Sequence, residues 1–237
     1  ELLQRSANLE FYLTYPASEI ADDINAVAQA AIKDSVEGAA TLAQVLATSQ
    51  GMINPNYPIL AYAPTDKEVK TIDTILARYA NKLPNDLKFA WGVKPETQQV
   101  NKGDKTEEVK IGYALYALKT QNGGPALDGE VVKDASADFD AQSFRGQEVS
   151  MTMNSEGARE WSRITGANIG KSIAIVLDGQ VYSAPTVNTA IDGGRSSITG
   201  NFTVEEAKDL ANVLKAGKMK AKVKTVWYPS LSPSYAS

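Results

Sequence analysis

Ile173-Ala174-Ile175-Val176-Leu177-Asp178-Gly179-Gln180-Val181-Tyr182-Ser183 is the stretch that sets the fold class. Two apolar runs flank an Asp-Gly pair, and a two-residue type I′ turn needs positive φ at both central positions, which Asp and Gly supply at low cost. The stretch therefore predicts an antiparallel hairpin. Its first run lacks polar alternation, so that strand is expected to be covered on both faces. Pro185, having no amide proton, ends the second strand or confines it to an edge.

Outward from the hairpin, helical and strand periods alternate. Residues 148–153 place Val149, Met151 and Met153 against Glu148, Ser150 and Thr152, the period of a half-buried strand. Asn154 or Ser155 then caps a short helix bearing Ala158, Trp161 and Ile164. Downstream, Asp192-Gly193-Gly194-Arg195 reads as a tight turn. Thr203 with Glu206 forms a capping box for a helix carrying Val204, Ala207, Leu210, Ala211 and Leu214. Gly217 follows where a C′ glycine belongs, a final strand is expected at 221–227, and 229–237 reads as a polar tail or linker.

The N-terminal half has the same mixed character. Residues 8–15 read as a strand closed by Pro16, and 20–46 as helix interrupted near Gly38. Residues 50–64, with three prolines, read as loop or short extended chain. Thr65 with Glu68 is a second capping box, and its helix sets Val69, Ile72, Ile75, Leu76 and Tyr79 on one side. Residues 87–93 and 109–118 are expected to pair as antiparallel strands, with 98–104 as a polar hairpin loop. Gln121-Asn122-Gly123-Gly124-Pro125 is the clearest internal boundary. The regular βαβ alternation of a doubly wound sheet is missing, so the class is α+β with antiparallel pairing.

Composition narrows the chemistry. The 237 residues are 43% hydrophobic and 22% charged, with net charge −4, enough for one large domain or two small ones. A pI near 5.1 argues against a nucleic-acid binder. Cysteine is absent, which removes thiol redox chemistry, and so is histidine, which removes Ser-His-Asp catalysis and nearly all zinc sites. No apolar run is long enough to span a bilayer. The opening Glu1-Leu2-Leu3, without Met, reads as an excised segment or a processed product.

The remaining polar motifs have plain structural readings. Asp22-Asp23 and Glu205-Glu206 lie near expected helix starts, where the backbone dipole favours acids. Asp128 with Asp134, and Asp138 with Asp140, lack EF-hand spacing. Gly103-Asp104-Lys105-Thr106 lacks the upstream glycine of a phosphate loop. Asn201-Phe202-Thr203 matches a glycosylation sequon, but capping accounts for the threonine. Lys215, Lys218, Lys220, Lys222 and Lys224 fit either an anionic lipid surface or a solvated face. No constellation of Asp, Glu, Lys and Tyr supports acid–base catalysis, so an enzyme is not expected and no cofactor or metal is assigned.

From Gly124 onward a series of fixed spacings carries more information than any single motif. It runs through Gly124-Pro125 with Leu127-Asp128-Gly129, Glu156-Gly157-Ala158, the strand ending at Asp178, and Ser183-Ala184-Pro185. It continues through Gly193-Gly194, Ile198-Thr199-Gly200-Asn201-Phe202-Thr203, Glu206-Ala207 and Ala216-Gly217. This pattern resembles the extracytoplasmic region of the SecD family. Residues 2–11 resemble the family's preceding strand, and 16–119 resemble the enlarged form found in SecDF fusions of the Bacteroidetes lineage.

The resemblance implies an α+β fold: a partial ferredoxin-like base with an inserted mixed α/β head. It divides the chain into a base segment with a lineage-specific insertion (1–120), a head (121–202), a helix and closing strand returning to the base (203–228), and a linker toward the next membrane helix (229–237). The matching positions Gly124, Gly157, Asp178, Gly179, Pro185, Gly193, Gly194, Gly200, Phe202, Thr203, Glu206 and Gly217 then read as structural residues or as hinge and turn points. The implied partners are unfolded secretory polypeptide, the SecYEG channel and the SecF part of the complex, with no nucleic acid. The implied place is the periplasmic side of an inner-membrane protein. Whether the head grips the emerging polypeptide or only docks on the channel is left open by the resemblance.

Overall fold

In a computed structural model, residues 8–138, 147–199 and 202–224 are described, the last helix with side chains to residue 217. In chain order the elements are β1 (Leu9–Thr14), α1 (Ala17–Lys33), α2 (Ala39–Ser49), β2 (Ile59–Ala63), α3 (Asp66–Arg78), β3 (Leu87–Trp91), β4 (Glu96–Lys102), β5 (Lys105–Lys119) and β6 (Leu127–Asp128). They continue with β7 (Val132–Asp138), β8 (Glu148–Met153), α4 (Ser155–Ala167), β9 (Ile173–Leu177), β10 (Gln180–Ser183), β11 (Arg195–Thr199) and α5 (Val204–Lys224).

The Asp178-Gly179 hairpin forms as expected, with φ of 49° and 82° at its two turn residues. Its strands extend an antiparallel sheet in the order β10-β9-β1-β5-β2, to which β3 and β4 add on β5 and β6 on β1. A parallel bridge between Gly92 and Val181 brings the β3 side of this sheet back to β10, so the sheet curls. β9 is covered on both faces. Ile173 and Ile175 enter one apolar cluster with Phe11, Trp161 and Met151, whereas Ala174 and Val176 enter another with Tyr12, Tyr116 and Leu118. A third cluster sits between the first three helices and the outer face of β2, β3 and β5, around Ile24, Leu42, Ile72 and Leu115.

A separate three-stranded sheet, β11-β8-β7, packs with α4 and α5 over the Phe11–Ile175 face. The two sides of the 121–125 turn thus share a sheet, because β9 pairs with β1 along five residues. That turn is closed by Gln121 and Gly124, each donating its amide to the other's carbonyl, with positive φ at Asn122 and Gly123.

Both capping boxes are present. Thr65 donates its amide to Glu68 at 3.1 Å, and Thr203 does the same with Glu206 at 3.1 Å. Three expectations are corrected. Residues 96–102 form strand β4, paired with β5 along its whole length, and only Gly103-Asp104 turn. This ribbon has no buried face, so no apolar alternation marks it. Val132–Asp138 form strand β7, and Arg195–Thr199 form β11 just beyond the expected Gly193-Gly194 turn; β11 contains a single apolar residue, Ile198, and is held by pairing with β8.

The helix α5 passes through Gly217 and continues to Lys224, so 217 is not a C′ position and 221–224 are not strand. The glycine serves close packing instead. A Cβ on it would lie 2.5 Å from Leu9 Cδ2 and 2.8 Å from the Gly129 carbonyl oxygen. Residues 225–227 of the expected strand, and the 229–237 tail, lie outside the described residues.

Candidate functional site

Helix α4 starts at Asn154, whose side chain accepts the Gly157 amide at 2.8 Å. Gly157 is required there because a Cβ would meet Val131 Cβ at 2.5 Å. One turn further, Trp161 is buried, packs edge-on against Phe11 with ring centroids 5.5 Å apart, and donates its indole N–H to Ser196 Oγ at 2.8 Å. The next turn carries Thr165, fully buried, which donates to the Trp161 carbonyl at 2.7 Å and accepts the Ile191 amide at 2.9 Å. Ser162 donates to Asp192. These bonds pin the chain between β10 and β11 to the outer side of α4.

That connecting chain leaves β10 at Pro185, whose carbonyl accepts the Ile173 amide at 3.1 Å. Val187 exchanges hydrogen bonds with Gly170 and Lys171, and the chain then returns to β11 through the Gly193-Gly194 turn, both at positive φ. Between the connection and the strand lies a groove of about 410 Å³. Its floor is Phe11, Met151, Trp161 and Ile198, and its rim is polar, including Asn188 and Arg195.

β11 is the outer strand of its sheet among the described residues, paired only with β8. The Gly194 carbonyl accepts the Met153 amide, so alternation puts the backbone groups of Ser196 and Ile198 toward β8 and those of Arg195, Ser197 and Thr199 outward. The groove therefore combines an apolar floor with a row of outward backbone donors and acceptors. This is the pairing that strand addition of an extended peptide uses.

The sequence-selected positions do not assemble into one site. Pro185 lines the groove; Gly193 and Gly194 turn the chain between its lining residues Asp192 and Arg195, and Gly194 is confined by Ala158, whose Cβ would be 2.7 Å from an added Cβ. Phe202, Thr203 and Glu206 lie at the start of α5. Phe202 and Glu206 line a smaller cleft of about 310 Å³ with Val93, Lys94 and Tyr182. There Lys94 pairs with Glu206 at 3.4 Å, and burial, with Asp209 and Glu206 nearby, raises the Tyr182 phenol above its ordinary value. Asp178 accepts the Asn8 amide at 2.8 Å, fastening the hairpin turn to β1. Gly124 is in the 121–124 turn, and Gly217 packs against Gly129 and Leu9. Gly200 lies outside the described residues.

Of the residues that build the groove, Ile198 and Thr199 fall within the family spacings, whereas Trp161 and Ser196 carry no motif. For Trp161 the signal was its place on the apolar side of an amphipathic helix. Among the described residues no group of three or more His, Cys, Asp or Glu is placed to hold a metal ion, and no helix is long and apolar enough to cross a membrane.

Comparison with known proteins places this architecture. A family model described as the SecDF P1 head subdomain matches residues 104–221, the part containing the three-stranded sheet and its helices. The protein translocase subunit SecD of Rhodothermus marinus is 44% identical over 160 residues, covering 59% of this chain and 25% of that protein. The corresponding subunit of Rickettsia felis is 32% identical over 235 residues, covering 94% of this chain and 42% of its own length. The chain thus spans less than half of these relatives. A crystal structure of SecDF, a translocon-associated membrane protein from Thermus thermophilus, aligns over 68% of this chain and 28% of its own at 24% identity, with a TM-score of 0.37 that leaves the assignment to the sequence matches. The fold is mixed α/β with an inserted β-rich head region, and the chain belongs to the SecD/SecDF family of protein-export membrane proteins, as a periplasmic domain that includes the P1 head.

Proposed function

We propose that this domain acts on the periplasmic side of the inner membrane as a non-enzymatic accessory to protein export, and that the groove along β11 holds the emerging, unfolded secretory polypeptide. The observation that carries this reading is the open edge of β11 beside an apolar floor. Main-chain pairing is indifferent to side-chain identity, so such a groove accepts many sequences. In this reading the partners are the unfolded chain, the SecYEG channel and the SecF part of the complex. The described residues up to 120 and from 203 onward belong to a partial ferredoxin-like base, and those of 121–202 to the head.

A docking role without substrate grip has one observation in its favour. The β4–β5 ribbon projects with both faces exposed and carries Lys102, Lys105, Glu107, Glu108 and Lys110. An NMR titration of the domain with an unfolded secretory polypeptide, with a folded protein as control, separates the two. Saturable shifts at Ser197, Thr199 and the Trp161 indole support holding. No shift with the polypeptide, together with shifts in 98–108 when SecYEG is added, replaces holding by docking.

A further inference from the structure

A second concavity lies on the other side of the curled sheet, between α3 and β3. This cleft measures about 690 Å³ and its floor is aromatic. Phe89 and Trp91 are two residues apart on β3 and so share a face, and Tyr113 of β5 lines the same cleft. Trp91 is buried and its orientation is fixed, because its indole N–H donates to Asp73 Oδ1 at 2.7 Å. Phe89 and Tyr113 are only half covered, leaving ring surface toward the cleft.

The charge of the cleft has one sign. Asp66 and Asp73, both exposed on α3, line it, and among the described residues no lysine or arginine does. Asp66 alone would be an ordinary first-turn acid of a helix, and Asp73 alone a partner for the indole. Placed together over aromatic rings, they form the surroundings that attract a cation with a flat apolar face.

The backbone adds a third element. Gly92 donates its amide to the Ala114 carbonyl, so the even residues of β3 bond to β5 and the backbone groups of Phe89 face away from it. Beyond Trp91 this edge is taken by β10, whose Val181 carbonyl accepts the Val93 amide, so an extended chain would meet the backbone groups of Phe89 while one of its side chains entered the cleft.

We propose that the α3–β3 cleft is a recognition site for an arginine side chain presented by an extended basic peptide. The planar guanidinium stacks on the open ring surface of Phe89 and Tyr113 and forks onto the Asp73 carboxylate, with Asp66 two helical turns away adding negative charge, an arrangement that an ammonium ion fits less well. The site is separate from the β11 groove and does not depend on that groove's role.

The test uses the intact domain and three short peptides identical except for a central arginine, lysine or citrulline, followed by NMR. The arginine peptide is expected to shift the Trp91 indole and the Phe89 and Gly179 amides saturably, leaving the Trp161 indole and Ser197 unmoved. Citrulline, isosteric but neutral, is expected to bind about 2- to 30-fold more weakly. Asp73→Asn keeps an acceptor for the Trp91 indole and so preserves the floor, and it is expected to weaken arginine binding over the same range. Phe89→Leu keeps the site apolar and removes the ring, with a like effect. Equal binding of citrulline or lysine, an unchanged affinity in Asp73→Asn, no saturable shift at millimolar peptide, or shifts centred on the β11 groove would each overturn the proposal.

Discussion

Replacing Gly217 by alanine separates two accounts of that residue. In a solvated helix, glycine to alanine stabilises by about 1 kcal/mol, because alanine loses less backbone entropy. At Gly217 the added Cβ would lie 2.8 Å from the Gly129 carbonyl oxygen and 3.1 Å from its Cα, backbone atoms that cannot rotate aside, besides 2.5 Å from Leu9 Cδ2. Helix α5 would have to move off β1 and the Gly129 turn, and overpacking of this kind costs about 1–3 kcal/mol. Gly166→Ala in α4 is the internal control, since its Cβ would meet only Ala190 Cβ, at an ordinary 3.5 Å. Thermal and urea unfolding followed by circular dichroism should rank Gly166→Ala at or above the parent and Gly217→Ala below it. The two variants should differ by about 1–3 kcal/mol, or roughly 2–12 °C in midpoint for a chain of this size. Equal stabilisation by both would refute the close approach of α5 to Gly129.

Two further predictions follow from buried polar groups. Glu96 lies among Tyr57, Tyr62 and Tyr116, and burial lifts its carboxyl above the usual range against the opposing hydrogen bonds from Tyr62 and Tyr116, while burial also pushes the Tyr57 phenol up to about 12. A carboxyl with a raised folded pKa contributes stability that is present below its unfolded pKa, near 4.3, and is lost as pH rises through the folded value. Glu96→Gln should therefore gain stability relative to the parent between pH 4.5 and pH 8, read as urea midpoints, and a difference constant across that range would contradict the burial of the charge. Thr165→Val removes the acceptor of the Ile191 amide, costs about 1–3 kcal/mol, and should speed hydrogen exchange at Ile191; unchanged exchange there would mean that α4 does not hold the groove wall.

Local chemistry made much of the fold legible. Asp178-Gly179, the two Thr-x-x-Glu boxes, the Gly38 break between α1 and α2, and the Val149-Met151-Met153 alternation each report on neighbouring residues, and each formed as read. The errors share a cause. β4 buries no side chain and β11 buries only Ser196 and Ile198, too few apolar positions to imprint a period, and Gly217 resembles a helix stop because its reason, a crossing against Gly129 more than eighty residues away, leaves no local mark.

The sequence by itself determined the secondary elements with a buried face, the absence of thiol and imidazole chemistry, and the family resemblance, because these rest on residue identity and short spacing. Beyond the expected β9–β10 and β3–β5 pairings, the tertiary structure alone decided which strands share a sheet and which edges stay open. It also decided that Trp161, Ser196 and the 185–192 chain enclose one groove while Asp73, Phe89 and Trp91 line another. Strand order and groove walls come from pairings between residues as distant as β1 and β9, and such pairings are fixed by the sum of many weak contacts that no single segment encodes.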